Sequence, residues 1–231
     1  MRKTTVLLVD DEESILRSVG ANLRRYGYEV VIAHDGPEAL QTLEETMPDL
    51  VVLDISLPGL DGFEVCRRVR EWSQVPIILL SGWSDPEDRV KLLRMGADDY
   101  LAKPFSVEEL VARVEAVLRR NSPRETVDGE VSFCSGSFEV NFAARRVKVS
   151  GRELSLTRTE YELLRELVVH RGKVLTHRML LHAVWGPDYG EEREYIRVFV
   201  NRLRQKLGDD SERQQYIETL PGVGYRFVVA A

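Results

Sequence analysis

The sequence predicts two domains of different class, an α/β domain over residues 1–121 and an α+β domain over residues 131–231. Three observations lead to this prediction. The chain has 231 residues, more than one domain usually takes. Its first half alternates five apolar runs with five helical patterns, which indicates a parallel sheet covered by helices on both faces. From residue 131 onward, short alternating segments and three helical patterns follow instead.

Composition and the start of the chain exclude several classes of protein. A hydrophobic content of 43% suits packed cores and argues against a disordered chain. No apolar run approaches the ~20 residues of a membrane helix. The charged start leads directly into a short strand, unlike a secretory signal. Cys66 and Cys134 lie far apart and match no metal spacing, which favours two reduced thiols in a cytoplasmic protein.

The two halves of the chain differ in charge. Residues 1–121 hold 15 basic and 22 acidic residues, whereas residues 122–231 hold 17 and 16, so the net charges are −7 and +1. Within the second half, residues 193–206 contain five basic residues and one acid. An acidic domain followed by a locally basic segment indicates one site for a cation and another for a polyanion.

The elements of the first domain are predicted from apolar runs and from residues that recur on one helix face. The predicted strands are residues 4–9, 28–33, 49–54, 75–81 and 98–102. The predicted helices are residues 13–26, 36–47, 61–71, 86–95 and 107–120. Gly27 and Gly96 are predicted to end the first and fourth helices.

Polar side chains stand at the carboxyl ends of four predicted strands. Asp10 and Asp11 follow the first strand and Asp54 ends the third. Ser81 ends the fourth strand and Lys103 follows the fifth. Parallel strands present these ends at one edge of the sheet, where open α/β sheets bind ligands. Clustered carboxylates repel one another unless a cation neutralises them, and such oxygen ligands suit Mg²⁺. A lysine and a hydroxyl beside them favour phosphoryl transfer to an aspartate.

Each of these residues also has a simpler interpretation. Asp54 could be a turn acid, and Asp10 and Asp11 could cap the following helix. Ser81 and Lys103 could be an ordinary strand-end hydroxyl and a solvated cation. Each simpler interpretation is reasonable for a single residue, but four strand ends with matched chemistry favour a common site.

The motifs of residues 1–121 resemble the receiver domain of two-component response regulators. The matching segments are VLLVDDE at 6–12, LDISLPGLDG at 53–62, Ser81-Gly82, GADDYLAKPF at 96–105 and EELVARVEAVLRR at 108–120. The resemblance implies a flavodoxin-like (βα)5 fold with a parallel five-stranded sheet. It also implies a sensor histidine kinase as the source of a phosphoryl group.

The same resemblance implies roles for the residues at the strand ends. Asp54 would accept the phosphoryl group, Lys103 would contact it, and the Lys103–Pro104 bond would be cis. Ser81 and Tyr100 match the pair that changes position on phosphorylation, with Tyr100 turning inward. The implied Mg²⁺ ligands are Asp10, Asp11, Asp54 and the backbone carbonyl of Ser56.

Charged residues on the predicted fourth helix, fifth strand and fifth helix have two interpretations. A solvated face of mixed charge contributes little to stability. The resemblance instead implies a symmetric dimer of receiver domains, with self-complementary ion pairs across a two-fold axis. The dimer is the favoured interpretation, and its predicted residues are Arg89, Asp98, Asp99, Glu109, Arg113 and Arg120.

The second domain follows a predicted linker at residues 122–130, which is polar and holds Pro123 and Gly129. Alternating segments at 137–140, 146–149 and 154–156 predict a small antiparallel sheet. The predicted helices cover residues 157–170, 178–184 and 194–207, and residues 216–220 and 225–229 form a predicted hairpin. Thr157 and Glu160 form a capping box at the first of these helices. Three helices followed by a hairpin indicate a winged helix-turn-helix.

The helix at 194–207 has an apolar face and a basic face. Ile196, Phe199, Leu203 and Leu207 recur at helical spacing and are predicted to face the core. The basic face carries Arg193, Arg197, Asn201, Arg202, Arg204 and Lys206. In a DNA major groove, arginine pairs with guanine and asparagine with adenine, while the remaining cations meet phosphates. A solvated basic face is the alternative.

Residues 131–229 resemble the DNA-binding domain of OmpR/PhoB-type response regulators. The matching segments are LTRTEYELLRELVVHRGKVLTHRMLLHAVWG at 156–186, VNRLRQKLGDD at 200–210 and PGVGYRF at 221–227. The resemblance implies DNA contacts by Arg197, Asn201, Arg202 and Arg204, and contact of the 186–193 loop with RNA polymerase. Thr219 and Arg226 are candidate wing contacts to phosphate. The run YIRVFVNRLRQKL at 195–207 is similar to the potassium-uptake (KdpE-like) branch of the family.

Two positions depart from the family patterns. Trp83 is larger than the residue usually found two positions after the switch serine, which is expected to slow access to the phosphoryl group. Many relatives have a basic residue where this chain has Pro221 at the wing tip, so the prediction of a wing cation in the minor groove is weakened.

The favoured hypothesis is a cytoplasmic, phosphorylation-controlled transcriptional regulator that dimerises on paired direct or inverted DNA half-sites and is not an enzyme. One alternative is an aspartyl-phosphate phosphatase that uses Asp54 as its nucleophile. Another is a DNA-binding regulator that needs no phosphorylation. The sequence provides no substrate cap for the phosphatase, and the complete set of pocket residues argues against the second alternative.

Overall fold

The structure is a computed structural model that describes residues 3–82, 86–119, 131–187, 189–190, 192–209 and 215–228. The chain divides into two compact units, residues 1–119 and residues 120–231. The predicted linker lies outside the described residues, so its bounds stay a prediction. Within the described ranges, every helix is too short or too polar to cross a lipid bilayer.

The first unit alternates five strands with five helices. The strands are β1 (Thr5–Val9), β2 (Glu29–Ala33), β3 (Leu50–Asp54), β4 (Ile77–Ser81) and β5 (Asp99–Ala102). The helices are α1 (Glu13–Arg25), α2 (Gly36–Thr46), α3 (Gly62–Trp72), α4 (Pro86–Arg94) and α5 (Val107–Arg119). All neighbouring strands pair in parallel, in the order β2-β1-β3-β4-β5. The predicted fold is confirmed, and β3 lies at the centre of the sheet.

The central strands are buried on both faces because helices cover both sides of the sheet. Every residue of β1, β3 and β4 is buried. On one side, Leu16 and Leu23 of α1 and Leu110 and Val114 of α5 pack with alternate strand residues in one apolar cluster. This packing fixes the strands in register, so their carboxyl ends meet at one edge.

Gly62 lies where α3 begins against the carboxyl end of β3. Its N–H donates to the Ile55 carbonyl at 3.0 Å. A Cβ at this position would lie only 2.3 Å from the Asp54 carbonyl oxygen, so any side chain would force the backbone to move. We expect Gly62→Ala to lower the free energy of unfolding of the first unit by about 1–3 kcal/mol. Hydrogen exchange of peptides from β1 and β3, resolved by mass spectrometry, measures this loss.

Gly82→Ala is the matched control for the glycine prediction. Apart from its two chain neighbours, no described residue has an atom within 4 Å of a Cβ at Gly82. We therefore expect this variant to stay within about 0.5 kcal/mol of the wild type. Equal losses in Gly62→Ala and Gly82→Ala would show that the close approach of Gly62 to β3 does not explain its effect.

The second unit combines two small antiparallel sheets with three helices. Its strands are β6 (Ser132–Ser135), β7 (Phe138–Asn141), β8 (Arg146–Val149), β9 (Arg152–Glu153), β10 (Leu175–Thr176), β11 (Ile217–Leu220) and β12 (Gly224–Phe227). Its helices are α6 (Arg158–Val169), α7 (His177–Val184) and α8 (Arg193–Leu207). The sheets have the orders β6-β7-β8-β9 and β10-β12-β11. The predicted winged helix-turn-helix is confirmed.

The small sheets differ in detail from the prediction. The strand expected at 154–156 is instead the two-residue β9, which pairs with β8 immediately after the turn at Ser150 and Gly151. Strands β6 and β10 were not predicted. β6 has only partial alternation of burial, and β10 has two residues, too few for periodicity to reveal.

The apolar face of α8 packs into an aromatic core, as predicted. Ile196, Phe199 and Leu203 are fully buried. The Trp185 ring meets the Tyr195 and Phe199 rings edge to face, at 5.6 and 5.1 Å between centroids. Such pairs favour one orientation of the rings beyond the gain from burial alone. They hold α8 firmly against the start of the loop that precedes it.

Candidate functional site

Three carboxylates meet at the carboxyl edge of the five-stranded sheet. Asp10 and Asp11 follow β1 and Asp54 ends β3. One carboxylate oxygen of each lies within 4.8 Å of the others. Asp10 is fully buried and Asp54 is 3% exposed, whereas Asp11 is exposed. The backbone N–H of Glu12 donates to Asp10 Oδ1 at 2.9 Å and fixes that carboxylate. The structure thus brings together the three acids that the sequence predicts to meet at the ends of β1 and β3.

Lys103 reaches the same pocket from the end of β5. Its Nζ lies 2.8 Å from Asp10 Oδ2 and 3.1 Å from Asp54 Oδ2. Its backbone N–H donates to the Ser81 carbonyl at 2.6 Å. The Lys103–Pro104 peptide bond is cis, as the resemblance implies. One ammonium therefore pairs with two of the three carboxylates and offsets part of their negative charge.

Burial and neighbouring charge shift the pKa values in opposite directions. Burial raises the pKa of Asp54, and the charge of Asp10 adds to this effect. The Lys103 ammonium and a hydrogen bond from the Ser56 backbone N–H lower the pKa of Asp54 but do not cancel the rise. Burial lowers the pKa of Lys103, but its pairing with Asp10 and Asp54 outweighs burial and raises that pKa. Lys103 therefore stays charged while it holds these two carboxylates.

Asp54 has one oxygen that the described residues leave unsatisfied. Its Oδ1 is buried and accepts no hydrogen bond from them. A buried carboxylate oxygen without a donor costs free energy unless a cation or a covalent bond satisfies it. The neighbouring groups that could bind a metal are the carboxylate oxygens of Asp10 and Asp11, and a set of oxygen ligands of this kind fits Mg²⁺.

The two expected switch residues lie on neighbouring strands of the same sheet. Ser81 ends β4 and is 1% exposed, and Tyr100 lies on β5 and is 5% exposed. In the pairing of these strands Ser81 is opposite Ala102, and Tyr100 is opposite Leu79. Because Tyr100 is buried, its side chain is already turned into the protein in this structure. A change in their positions stays a prediction, and Trp83 lies outside the described residues.

The structure corrects the predicted dimer face at two residues. Asp98 and Asp99 were expected on the surface, but both are fully buried. Asp98 Oδ2 accepts from Arg70 Nη2 at 2.8 Å and from the Ile77 N–H at 3.1 Å. Asp99 Oδ1 lies 3.2 Å from Arg113 Nη1. These carboxylates are therefore already paired within their own chain.

The remaining residues of the predicted dimer face are described only in part. Arg113 Nη2 also pairs with Glu109 at 2.9 Å, and the Glu109 side chain is 46% exposed. Glu109 thus remains able to meet a second molecule. The Arg89 side chain and Arg120 lie outside the described part of the chain.

Helix α8 leaves one narrow stripe of side chains exposed. The exposed stripe consists of Arg193, Arg197, Asn201 and Gln205, which follow one another at intervals of four residues. Most of the other side chains of α8 are buried. Gln205 was not among the predicted residues, although continuing the interval of four beyond Asn201 would have found it. A helix that exposes cations and amides on one line can enter a DNA groove.

Two other arginines of α8, which the family resemblance places among the DNA contacts, have partners within the domain, and their DNA contacts stay a prediction. Arg204 is 9% exposed, and its Nη2 donates to the Ile217 carbonyl at 2.6 Å and to Thr219 Oγ1 at 2.8 Å. The Arg202 side chain is 12% exposed, and its Nε lies 2.8 Å from Glu160 Oε1. Both guanidinium groups turn into the domain because buried oxygen acceptors lie within their reach.

The wing residues also have partners within the domain. Arg226 of β12 donates from Nε to Glu218 Oε2 of β11 at 2.8 Å, and Thr219 accepts from Arg204. Thr219 and Arg226 stay predictions as contacts to DNA phosphate. Pro221 begins the turn between these strands, and Gly222 has a φ of 76° there, a conformation that favours glycine.

Comparisons with known proteins identify similar proteins for both units. Residues 6–115 match the response regulator receiver domain, and residues 151–227 match the C-terminal domain of transcriptional regulatory proteins. The chain is 42% identical over 224 residues to the transcriptional regulatory protein KdpE of Mycobacterium tuberculosis, which covers 97% of this chain and 99% of the relative.

Two solved structures are similar over nearly the whole chain. A mutant of RitR superposes with a TM-score of 0.77 at 28% identity and covers 97% of this chain and 98% of that one. DrrB of Thermotoga maritima, described as an OmpR/PhoB homologue, gives a TM-score of 0.53 at 33% identity and covers 98% and 100%.

Proposed function

Because the chain belongs to the OmpR/PhoB family of two-component response regulators, which are phosphorylation-controlled transcription factors, we propose that Asp54 accepts the phosphoryl group and that α8 enters the DNA major groove. The observation that carries the first assignment is the buried Asp54 Oδ1, which accepts no hydrogen bond from the described residues. Lys103 Nζ lies 3.1 Å from the other carboxylate oxygen. Asp54 Oδ2 thus pairs with the Lys103 ammonium, whereas Oδ1 has no hydrogen bond from the described residues that would lower its reactivity as a nucleophile.

In the proposed step, a carboxylate oxygen of Asp54 attacks the phosphorus of a phosphohistidine on a sensor histidine kinase. A P–O bond forms and gives an acyl phosphate. The P–N bond to the histidine breaks, and its electron pair returns to the imidazole. Lys103 balances the charge on the phosphoryl oxygens, and the Ser81 hydroxyl donates to one of them. The pocket then carries a group with a charge of about −1.5 to −2.

The pocket has the donors that Mg²⁺ requires. Asp10, Asp11, Asp54 and the backbone carbonyl of Ser56 are the proposed ligands. When bound, Mg²⁺ would neutralise charge on the transferring phosphoryl group. Lys103 pairs with two of the same carboxylates. Its ammonium and a bound metal would therefore share the negative charge of these carboxylates. This sharing leads to a prediction that does not depend on phosphorylation.

We expect Lys103→Met to bind Mg²⁺ more tightly than the wild type. The substitution removes the ammonium that pairs with Asp10 and Asp54, so the pocket becomes more negative by one unit charge. Since one unit charge near 4 Å is worth about 4 kcal/mol at an effective dielectric constant of ~20, the Kd for Mg²⁺ should fall by at least about tenfold. Isothermal titration of the unphosphorylated protein with MgCl₂ measures the change.

Arg25→Met is the control for this titration. It removes one positive charge at the C-terminal end of α1, and the side chain there is exposed. We expect its Kd for Mg²⁺ to match that of the wild type. An unchanged or weaker Kd in Lys103→Met would contradict the proposed sharing of charge.

The proposed DNA-reading residues are those of the exposed stripe of α8, Arg193, Arg197, Asn201 and Gln205. Arginine can donate two hydrogen bonds to guanine, and an amide can make two with adenine. The 186–193 loop is proposed to contact RNA polymerase. In support, Tyr189 is buried and its ring lies 5.9 Å from that of Tyr195, which anchors the loop beside the start of α8.

Phosphorylation is proposed to promote a symmetric dimer of receiver domains through α4, β5 and α5. Glu109 supports this proposal, since its side chain is 46% exposed and carries a charge that a two-fold-related cation can meet. Dimerisation raises the effective concentration of the second α8 on direct or inverted half-sites about one helical turn apart. The protein is proposed to act in the cytoplasm, in the KdpE-like branch that residues 195–207 resemble.

Incubation with acetyl phosphate, followed by a phosphate-affinity gel, tests the proposed chemistry. We expect one added phosphoryl group, formed in the presence of Mg²⁺ and not in the presence of EDTA. Absence of any phosphorylated band would support a regulator that binds DNA without phosphorylation. Sustained hydrolysis of p-nitrophenyl phosphate would instead support a phosphatase with Asp54 as its nucleophile.

A further inference from the structure

Glu160 is a fully buried carboxylate at the start of α6. Its orientation is fixed by its own helix. Glu160 Oε2 accepts from the Thr157 backbone N–H at 2.8 Å, and Thr157 Oγ1 accepts from the Glu160 N–H at 3.3 Å. This is the capping box that the sequence predicted. A capping box needs only local partners, so it does not by itself require a second helix to approach this carboxylate.

Two cations of α8 nevertheless pair with this single carboxylate. Arg202 Nε lies 2.8 Å from Glu160 Oε1, and Lys206 Nζ lies 2.6 Å from Glu160 Oε2. Lys206 Nζ also donates to the Ser155 carbonyl at 2.8 Å. The Arg202 guanidinium lies over the Phe199 ring, 4.7 Å from its centroid. Arg202 and Lys206 are four residues apart, so Glu160 binds α8 at two points one turn apart.

These contacts add to the buried apolar face of α8 in constraining the rotation of the helix about its own axis. Arg202 and Lys206 each follow a member of the exposed stripe, Asn201 and Gln205, by one residue. One residue corresponds to about 100° around an α-helix, since 3.6 residues make a turn. Holding Arg202 and Lys206 inward at Glu160 therefore turns Asn201 and Gln205 outward.

The same contacts hold two positive charges of α8 against Glu160. Arg202 and Lys206 border the exposed stripe and would reach phosphates if they were released. Phosphate contacts raise affinity for every sequence alike, whereas contacts to base edges distinguish sequences. A carboxylate that withdraws cations from the phosphates would therefore favour sequence reading over non-specific attraction.

We propose that Glu160 is a positioning residue for DNA recognition: together with the apolar face of α8 it fixes the rotation of this helix, and it holds Arg202 and Lys206 off the DNA backbone. The proposal rests on the proposed DNA-reading role of the exposed stripe. It assigns Glu160 a role beyond helix capping. It also gives a reason why Arg202, which sequence patterns place among the DNA contacts, points into the domain.

The first test is the salt dependence of binding to a random-sequence DNA duplex by the full-length protein. Glu160→Gln keeps the shape and the capping acceptor but loses the charge, so Arg202 and Lys206 lose the ion pairs that hold them inward. We expect the slope of log K against log salt to become steeper by about 0.9 for each new phosphate contact, up to about 1.8. Affinity for a duplex selected by the wild type should fall relative to the random duplex by about tenfold.

Glu162→Gln is the matched control, because Glu162 lies on the same helix and pairs with Arg145 and Arg165, not with cations of α8. Its salt slope should equal that of the wild type. If Glu160 only stabilises the fold, Glu160→Gln would weaken binding to both duplexes without a steeper slope, and the proposal would be wrong. Thermal unfolding of each variant shows which fraction is folded during the titrations.

A second test does not need Glu160→Gln to fold well. In a wild-type background, Arg202→Gln with Lys206→Gln should leave the salt slope unchanged, because neither side chain contacts phosphate. A slope shallower by about 1.8 would show that both contact DNA and would overturn the proposal. If the wild type itself binds neither duplex, the proposed DNA-reading function fails, which is a distinct outcome from an unchanged slope in a protein that binds.

Discussion

Asp54→Asn is expected to prevent all uptake of a phosphoryl group from acetyl phosphate. An amide oxygen is a poor nucleophile, and asparagine has nearly the shape of aspartate, so the substitution removes the chemistry and retains the packing. Asp54 is 3% exposed at the end of the central strand, and its Oδ1 has no hydrogen-bond donor among the described residues. Phosphate-affinity gels and intact mass measure the loss, which should be complete.

Asp61→Asn is the control for this variant. Asp61 lies in the loop that follows β3, and its Oδ1 accepts from the Glu64 N–H at 2.8 Å as the N-cap of α3. Asparagine caps a helix about as well as aspartate, so Asp61→Asn should accept phosphate normally. Wild-type phosphorylation of Asp54→Asn would mean that another carboxylate of the pocket is the acceptor.

Arg197→Ala and Asn201→Ala are expected to produce the second largest effects. Both side chains lie on the exposed stripe of α8, where a bidentate contact to a base is worth about 1–3 kcal/mol. Each substitution should therefore weaken binding to a selected duplex by about 5- to 150-fold. Fluorescence anisotropy with a labelled duplex measures these affinities. Asn201→Ala should relax the base preference at one position. It should leave the slope of log K against log salt nearly unchanged, because asparagine carries no charge.

Arg146→Ala is the control for the arginine variant. Arg146 lies on β8, its side chain is 65% exposed, and its nearest acidic partner is Glu153 at 3.6 Å. We expect this variant to bind the selected duplex within about twofold of the wild type, because an exposed ion pair contributes little. Wild-type affinity in both Arg197→Ala and Asn201→Ala would rule out the exposed stripe as the DNA-reading surface.

The pocket could be predicted because it depends on backbone topology. Once the strands are parallel, the ends of β1, β3, β4 and β5 lie at one edge, whatever the side chains do. Asp10, Asp54 and Lys103 each stand next to such an end, and their meeting required no knowledge of rotamers. The pairing of Lys103 Nζ with both carboxylates, at 2.8 and 3.1 Å, follows from that placement.

The DNA-binding and dimer surfaces were predicted less well because long side chains can pair with residues that are distant in sequence. Asn201 and Arg204 lie close together on a helical wheel, yet Arg204 reaches Ile217 on β11, an edge strand with carbonyls available to accept. Asp98 is buried by Arg70, 28 residues earlier on α3. No local pattern reveals either pairing, so the burial of Asp98 and Arg204 could not be predicted from the sequence.

DNase footprinting of wild-type protein and Asp54→Asn, each with and without acetyl phosphate and Mg²⁺, tests most directly whether phosphorylation of Asp54 controls DNA binding. For the wild type, phosphorylation should lower the concentration for half protection by about 5- to 150-fold, the usual range of coupling between two sites. For Asp54→Asn, the concentration for half protection should be the same with and without acetyl phosphate and Mg²⁺. Equal wild-type concentrations with and without the donor, or a full response in Asp54→Asn, would contradict the proposed switch.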